Sequence, residues 1–387
     1  MNKDTITTKS KLQQLVESIG AKHAPDRRVE VYSIEIVEYD GAIQLKGETT
    51  SAAALKELAE AAKSIAPHIE NHIGTLPSES IGENCWGIVY NSVANLHSQP
   101  THKSDMVSQL LLGIPVRVLH KLDDWLHIQA PDGYIGWVCG SIERMNGREL
   151  QARLAKFAII VTCQYAKSYS KADIHSQSVS DIVIGNIFTL DGEEDNFYKI
   201  IYPDGREAYI EKQNAKEVDS WLTDIELTGK SIVNTAKQLM GVPYVWGGTS
   251  SKGLDCSGFT KIIYWLHGII IPRDASQQVL CGVEVDNKGD FEKVQKGDLL
   301  FFGTKATDEN TKERVVHVGI YIGNKQFIHA HDYIRINSFN PHDKLFDQFN
   351  TNRYLRTMRY IGSERAIGIT PILEHPFYSK TSLTDDE

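Results

Sequence analysis

Cys256 is the residue of this chain that is best placed to act as a nucleophile. It stands in the run Leu-Asp-Cys-Ser-Gly-Phe, and apolar residues at helical spacing follow it, so we predict a helix over 255–268 with the cysteine at its start. An exposed helix N-terminus offers free N–H groups and the positive end of a dipole, which favour the reactive thiolate. The chemistry predicted for this position is nucleophilic attack by a thiol.

A thiol nucleophile needs a base, and His317 and His329 are the candidates. Valines and isoleucines alternate with other residues over 314–322, so His317 lies on the opposite face of a predicted strand. A hairpin turn at 323–325 would place His329 diagonally across from His317, with the two backbones roughly 7–8 Å apart. One imidazole can then act as the base while the other orients it. His331 shares a strand face with His329 and is the alternative for the orienting role.

The remaining cysteines show no sign of a metal site or a disulfide framework. They are odd in number with Cys256 included and lie far apart in the sequence, without ligand spacing. We expect no metal and no cofactor, since a thiolate needs no zinc-activated water. We expect these four to be small buried apolar residues, namely Cys85, Cys139, Cys163 and Cys281.

A mixed α and β region from about residue 227 must position these groups. Apolar spacing predicts a helix over 231–240 ahead of the helix that starts at Cys256. Three strands follow, over 298–302, 315–322 and 326–331.

An internal repeat fills the middle of the chain. Gly113 opens the run Gly-Ile-Pro-Val-Arg-Val-Leu, and 72 residues later Gly185 opens a similar run, with Pro-Asp-Gly turns at 131–133 and 203–205 in the same register. Short alternating strands with Asp-Gly turns predict a small antiparallel barrel that is used twice.

The two copies of the repeat differ at polar positions. The first copy has Asp105 and Tyr134, where the second has Gln177 and Arg206. We therefore expect only the first barrel to face a ligand.

The remaining composition excludes two classes of protein. A net charge of −9 leaves no basic stripe for nucleic acid, and no apolar stretch approaches the length of a membrane span. Residues 1–16 contain no apolar core of a secretory signal, so we expect a cytoplasmic protein. Residues 28–65 predict two strands joined by an Asp-Gly turn and then a helix over 52–65.

The ordered motifs of the last third resemble those of the NlpC/P60 cysteine peptidases. The resemblance covers about 227–360, and the pattern around 113–138 resembles the bacterial SH3 domains found beside cell-wall hydrolases. Together these resemblances imply an α+β fold class: a papain-like catalytic domain preceded by two SH3-like barrels and a ββα (BON-like) module. The expected domains are 1–76 for the module, 77–147 and 148–222 for the barrels, 223–365 for the peptidase and 366–387 for a tail expected to fray. The motifs are Pro243 to Gly248, Leu254 to Phe259, Lys296 to Phe302, His317 to Gly323 and Phe327 to Ala330.

The resemblance also implies roles for the candidate residues. In such a Cys–His–His triad Cys256 attacks, His317 is the base and His329 orients His317. Tyr244 helps to stabilise the oxyanion together with the backbone N–H of Cys256, and Trp246 of the same motif lies at the substrate.

Further substrate contacts follow from likeness to the γ-D-glutamyl-L-diamino acid endopeptidases of murein peptide recycling. There an acidic residue and a tyrosine of the first barrel hold the free amine of an N-terminal L-Ala, and the matching positions are Asp105 and Tyr134. Asp255 and Ser257, which flank the nucleophile, match positions that contact the substrate near D-Glu. For Asp255 the alternative is capping of the helix N-terminus.

The sequence thus predicts a monomeric endopeptidase that cuts the bond between γ-D-Glu and L-Lys or diaminopimelate in short murein peptides with a free L-Ala. One alternative is a secreted peptidoglycan endopeptidase that acts on intact wall. Another is a barrel-based binding protein with a degenerate peptidase domain, and the intact set of Cys256, His317 and His329 argues against it.

Overall fold

The N-terminal module contains more elements than the sequence predicted. The computed structural model describes residues 3–306 and 312–378. The Asp-Gly hairpin turn and the helix over 52–65 are present as predicted, with positive φ at both turn residues, Asp40 and Gly41. A long first helix and a third strand were not predicted; Leu12, Val16 and Ile19 of that helix are buried in the core of the module. The elements are α1 (Lys3–His23), β1 (Tyr32–Tyr39), β2 (Ala42–Thr49), α2 (Ala52–Ile65) and β3 (Glu70–Thr75).

The two barrels share one strand order. The first barrel contains β4 (Trp86–Val89), β5 (Val93–His97), β6 (Met106–Leu111), β7 (Pro115–Leu122), β8 (Trp125–Gln129), β9 (Ile135–Cys139) and β10 (Ile142–Met145). After α3 (Gly147–Leu154), the second contains β11 (Phe157–Val161), β12 (Tyr165–Tyr169), β13 (Ser178–Val183), β14 (Ile187–Glu194), β15 (Phe197–Ile201), β16 (Glu207–Glu211) and β17 (Ala215–Glu217). The orders are β10-β4-β7-β8-β9-β5-β6 and β17-β11-β14-β15-β16-β12-β13. The repeat that the sequence predicted therefore extends over the whole barrel.

Gly113 and Gly185, the first residues of the repeated runs, lie where the barrels touch. Their φ angles are +90° and +87°, and a Cβ on Gly113 would lie 2.7 Å from the carbonyl oxygen of Ile187. A Cβ on Gly185 would lie 2.8 Å from Leu111. Since only glycine accepts such a φ and such a close approach, both positions require it.

The catalytic domain is an antiparallel sheet with helices packed on it. Its strands run in the order β21-β26-β22-β23-β24-β25, and the helix that begins at Cys256 packs against β23 and β24. The predicted helices and strands are present within a few residues, whereas β25 and β26 were not predicted. After α4 (Val218–Asp224) the elements are α5 (Gly229–Gln238), β18 (Thr249–Ser250), β19 (Gly253–Leu254), α6 (Cys256–Leu266), β20 (Ile269–Ile270), α7 (Ala275–Gln278), β21 (Val283–Asp286), β22 (Leu299–Thr304), β23 (Arg314–Gly323), β24 (Gln326–His331), β25 (Tyr333–Ser338), α8 (Gln348–Asn352), β26 (Tyr354–Arg359) and β27 (Thr370–Pro371).

The first barrel is fastened to the catalytic helix α6 and to the loop before it. Lys261 of α6 forms a buried ion pair with Asp132, at 2.6 Å between Nζ and Oδ2. The backbone and side chain of Thr249 bond to Gln109 of β6, at 3.1 Å and 2.6 Å. These contacts hold one barrel against the domain that carries the nucleophile.

The segment expected to be a frayed tail is packed as far as Tyr378. Strand β27 pairs with β20, and the Phe377 ring meets the Trp86 ring of the first barrel edge-on, with centroids 4.9 Å apart. The expectation of fraying is wrong for this stretch, because its apolar residues find partners on the catalytic domain and the first barrel. Residues 379–387 of the expected tail lie outside the described residues.

The predicted fold class is confirmed: a mixed α and β catalytic domain follows a strand-rich region with SH3-like barrels. Within residues 3–306 and 312–378, the helices are too short or too polar to cross a membrane.

Candidate active site

Cys256 is the first residue of α6, and its side chain lies against strand β23. Asp255 caps the helix by accepting the N–H of Gly258 at 2.7 Å. The backbone N–H groups of Val318 and Ser257 act on the thiol and oppose the rise of its pKa. Since Val318 follows His317 in β23 and α6 packs on that strand, the nucleophile lies beside the strand that carries the predicted base.

The thiol is more deeply buried than the sequence predicted. Only 8% of Cys256 is exposed, and burial, reinforced by the carboxylate of Asp255, raises the pKa of the thiol to about 12. The nearby N–H groups and the guanidinium of Arg273 oppose this shift but do not reverse it. The N–H groups at the helix start thus favour the thiolate, as the sequence predicted, but burial of the thiol outweighs them.

His317 and His329 form the hydrogen-bonded pair that the strand register predicted. Ile320 of β23 pairs with Ile328 of β24, and His317 Nε2 lies 2.7 Å from His329 Nδ1. His331 bonds to Arg335 instead, and its ring centroid is 6.4 Å from that of His317. The structure therefore places His329, and not His331, in contact with His317.

Asn337 of β25 fixes which ring nitrogens carry protons. Its Nδ2 donates to the carbonyl of Leu345 at 3.1 Å, so its Oδ1 must face His329 Nε2, which lies 2.9 Å away. His329 then donates from Nε2 and accepts at Nδ1 from His317 Nε2–H. This chain of bonds leaves Nδ1 of His317 without a proton and free to take one.

Both imidazoles are neutral in this arrangement. Burial holds the pKa of His317 well below its ordinary value, and burial lowers the pKa of His329 to about 4. A neutral His317 beside a protonated thiol is the resting state of a general-base mechanism.

Arg273 organises the start of the catalytic helix, and the sequence reasoning missed it. The side chain is almost fully buried and binds both oxygens of Asp255, at 3.1 Å and 2.6 Å, and the hydroxyl of Ser257 at 2.9 Å. Its Nε donates to Ser108 of the first barrel at 3.2 Å. The capping role of Asp255 is thus present, and both of its oxygens already have partners. An arginine directly after the apolar run 269–272 was the available signal, because a buried charge requires a partner.

A cleft of about 660 Å³ collects most of the predicted site residues. Trp246 is 69% exposed there, and Tyr244 is half-buried, with burial raising the pKa of its hydroxyl. His317 and His329 lie buried behind this cleft. The predicted residues that line the cleft are Tyr134, Tyr244, Trp246, Asp255, Cys256 and Ser257.

Asp105 is the predicted residue that the structure does not bring to the cleft. It is exposed just before β6, and the hydroxyl of Tyr134 donates to Asp274 instead, at 3.3 Å. Asp274 is joined there by Arg28, whose Nη1 donates to the same carboxylate oxygen at 2.8 Å. Neither residue was predicted, because nothing local in the sequence links residue 28 to residue 274.

A thiol at a helix start, packed on an antiparallel sheet beside two hydrogen-bonded imidazoles, defines a papain-like cysteine peptidase. A family model described as the NlpC/P60 family matches residues 241–358, and one described as the bacterial dipeptidyl-peptidase Sh3 domain matches residues 96–141. The chain belongs to the NlpC/P60 family, and it is a cysteine peptidase.

The similar proteins agree with this assignment. A gamma-D-glutamyl-L-lysine dipeptidyl-peptidase of Bacillus cereus is 33% identical over 238 residues, which are 59% of this chain and 68% of the relative. Dipeptidyl-peptidase 6 of Lysinibacillus sphaericus is 26% identical over 270 residues, 67% of this chain and 94% of the relative. The crystal structure of an NlpC/P60 family protein from Bacillus cereus covers 71% of this chain and 99% of its own, at 28% identity and a TM-score of 0.59.

Proposed function

We propose that this peptidase hydrolyses the amide between γ-D-Glu and L-Lys or diaminopimelate in short murein peptides that begin with a free L-Ala. Relatives from two Bacillus species are named gamma-D-glutamyl-L-lysine dipeptidyl-peptidase, which supports this bond as the target. The observation that carries the proposal is the carboxylate of Asp274, which lines the same cleft as Cys256 and accepts a hydrogen bond from the hydroxyl of Tyr134 at 3.3 Å.

That charge lies where the first barrel meets the catalytic domain. Three carboxylates and two guanidinium groups form one network, so a single negative charge is left over: Asp26, Asp255 and Asp274 against Arg28 and Arg273. Among the residues that line the cleft, three cations stand against three anions, and Glu313 is already paired with Arg356 at 2.7 Å: Arg28, Arg273 and Arg314 against Asp255, Asp274 and Glu313. An ammonium group that enters the cleft, such as the free amine of an N-terminal L-Ala, would find its anionic partner in Asp274 beside Tyr134. A buried ammonium without such a partner would cost several kcal/mol.

In the first step the proton of the Cys256 thiol passes to Nδ1 of His317 while the sulfur forms its bond to the substrate. The sulfur attacks the γ-carbonyl carbon of D-Glu, and the oxyanion accepts hydrogen bonds from the backbone N–H of Cys256 and from Tyr244. His317 then gives its proton to the nitrogen of the diamino acid, which leaves as an amine. Water, deprotonated by the same imidazole, cleaves the thioester and restores the thiol.

The test is incubation with L-Ala-γ-D-Glu-L-Lys and with its N-acetylated form, with products identified by mass spectrometry. We expect L-Ala-γ-D-Glu and free lysine from the first peptide and little product from the second. Cys256→Ala should be inactive, while the matched Cys281→Ala should retain activity, since Cys281 lies outside the cleft. Equal rates on both peptides would favour the alternative of an enzyme that acts on intact wall. Turnover by a folded Cys256→Ala protein would refute the mechanism.

A further inference from the structure

Residues 24–31, here called the N-terminal arm, reach the active-site cleft from outside the barrels and the catalytic domain. The arm connects α1 with β1 and contacts both the first barrel and the catalytic domain. The N–H of Ile135 donates to the carbonyl of Arg28 at 2.7 Å, and Gln129 Nε2 donates to that of Val29 at 2.9 Å. On the other side, Gln277 Nε2 donates to the carboxylate of Asp26 at 2.8 Å. The N-terminal module thereby contributes to the wall of the cleft.

Arg28 is the residue of the arm that lines the cleft. Its Nε and Nη2 bind Asp26 at 2.8 Å and 2.7 Å, so one edge of the guanidinium is held within the arm. Its Nη1 donates to Asp274 Oδ2 at 2.8 Å and to Ser276 at 2.9 Å. Tyr134 donates to the same oxygen of Asp274.

These contacts are the ones that a substrate ammonium would make at Asp274. We propose that Arg28 is a specificity-determining residue, which acts as a built-in counter-cation for Asp274 and weakens the binding of a free substrate amine. The inference rests on the proposed function, because it takes the amine of an N-terminal L-Ala as the group that Asp274 receives. The arm would thereby tune how strongly the cleft discriminates between charged and acylated peptides.

The other contacts of Asp274 determine whether the loss of Arg28 strengthens or weakens the binding of a substrate amine. Its carboxylate keeps the hydrogen bond from Tyr134, and its backbone N–H donates to Gln277 Oε1 at 3.1 Å at the start of α7. Removal of Arg28 therefore leaves the carboxylate oriented but removes a positive charge from its oxygen. Two cations at one carboxylate repel each other, so an incoming ammonium should bind more strongly once Arg28 is absent.

The test uses product binding in a protein that cannot turn over, so that affinity is read apart from chemistry. Isothermal titration calorimetry would measure L-Ala-γ-D-Glu and its N-acetylated form against Cys256→Ala, with and without Arg28→Met. We expect Arg28→Met to bind the free-amine dipeptide about tenfold more tightly, and to leave the acetylated form unchanged. Arg27→Met is the matched control, because the Arg27 guanidinium faces Tyr32 at 4.8 Å from the ring centroid.

A second variant separates the local contact from net charge. Asp26→Asn with Arg28→Met keeps the charge of the protein constant, and it should also bind the free-amine dipeptide more tightly. Circular dichroism should show parent-like spectra for both variants. In the active enzyme, Arg28→Met should lower KM for the tripeptide without changing kcat.

The binding data distinguish a failure of the inference about Arg28 from a failure of the proposed function. If the parent binds the free-amine dipeptide and Arg28→Met binds it equally or more weakly, the inference alone is overturned. If neither protein binds the dipeptide, the proposed function fails, and the inference fails with it.

Discussion

At the scale of single residues, the proton on the Cys256 thiol decides how the reaction starts. Burial and Asp255 keep that proton in place, whereas burial keeps His317 without one. The resting enzyme is therefore a neutral pair, and the base must act in the same step in which the sulfur attacks.

The pH dependence of Cys256 alkylation by iodoacetamide should show whether the thiol and the imidazole are both neutral. Since the pKa of the Cys256 thiol is raised to about 12, the rate should still increase from pH 7 through pH 10, as the thiolate fraction grows. Mass spectrometry of the alkylated peptide against time would measure the rate at each pH. A rate that stays constant between pH 5 and pH 8 would instead indicate a preformed thiolate–imidazolium pair.

Asn337 should act as a positioning residue through the proton chain of the two imidazoles. Asn337→Ala frees His329 to exchange tautomers, so His317 no longer presents an unprotonated Nδ1 in every molecule. We expect kcat to fall roughly 10–100-fold with little change in KM. This decrease is smaller than the ~10⁴-fold loss of kcat when the acidic partner of a triad histidine is replaced, because Asn337 is uncharged and one residue further from the base.

Two measurements would distinguish this role from a loss of packing. Nitrogen-15 NMR of the histidine rings should show mixed tautomers in Asn337→Ala and single tautomers in the parent. Asn352→Ala is the control, because Asn352 is exposed and bonds only to Gln348 among the described residues' side chains. A parent-like kcat for Asn337→Ala would remove Asn337 from the mechanism.

At the scale of elements, the contact between the two barrels depends on a glycine with a positive φ. Gly113→Ala should destabilise the protein in two ways, through φ and through the approach of 2.7 Å to Ile187. Gly205→Ala is the matched control, since Gly205 has φ +88° and no neighbouring atom within 4 Å of a built Cβ. We expect Gly113→Ala to lower the free energy of unfolding by about 1–3 kcal/mol more than the control does. Urea denaturation of the three proteins would measure the difference, and equal losses would contradict the predicted steric contact.

The elements that carry the triad were predictable, because their signals are local. Alternation over 314–322, a short turn and helical spacing after Cys256 are all read within one segment, so α6, β23 and β24 could be located. Arg28 and Asn337 were not predictable, because they reach the site only through tertiary contacts, whereas Arg273 carried a local signal in the apolar run before it. The burial of Cys256 was not predictable for the same reason, since it depends on packing against β23.

At the scale of the whole molecule, buried histidines should make the fold sensitive to acid. His127 of the first barrel stacks on Trp137 with centroids 4.5 Å apart, and burial lowers the pKa of His127 to about 4. The unfolded chain takes up this proton near pH 6.5, so it binds more protons than the folded chain between pH 6.5 and 4, and stability falls as the pH decreases across that window. The shift corresponds to ~3 kcal/mol for this group.

His127→Phe keeps the stacking and removes the titrating ring. We expect its free energy of unfolding, from urea titrations at pH 7 and pH 4.5, to decrease less between the two conditions than that of the parent. His175→Phe, at an exposed position of the second barrel, controls for the loss of a surface histidine. An unchanged pH dependence in His127→Phe would mean that this ring has the same pKa in the folded and the unfolded protein.

The contact between Phe377 and Trp86 can form only after nearly the whole chain has been synthesised. The ribosome adds roughly 290 residues between these two rings, which takes about 15–60 s at ordinary rates of elongation. During that interval the first barrel has emerged from the ribosome, but the Trp86 ring still lacks its partner near the end of the chain. The proton chain of the peptidase is likewise incomplete until Asn337 has been made. A chain that ends between residues 257 and 336 therefore carries the cleft-facing barrel and Cys256 but lacks Asn337, the residue that fixes the tautomers of the two imidazoles.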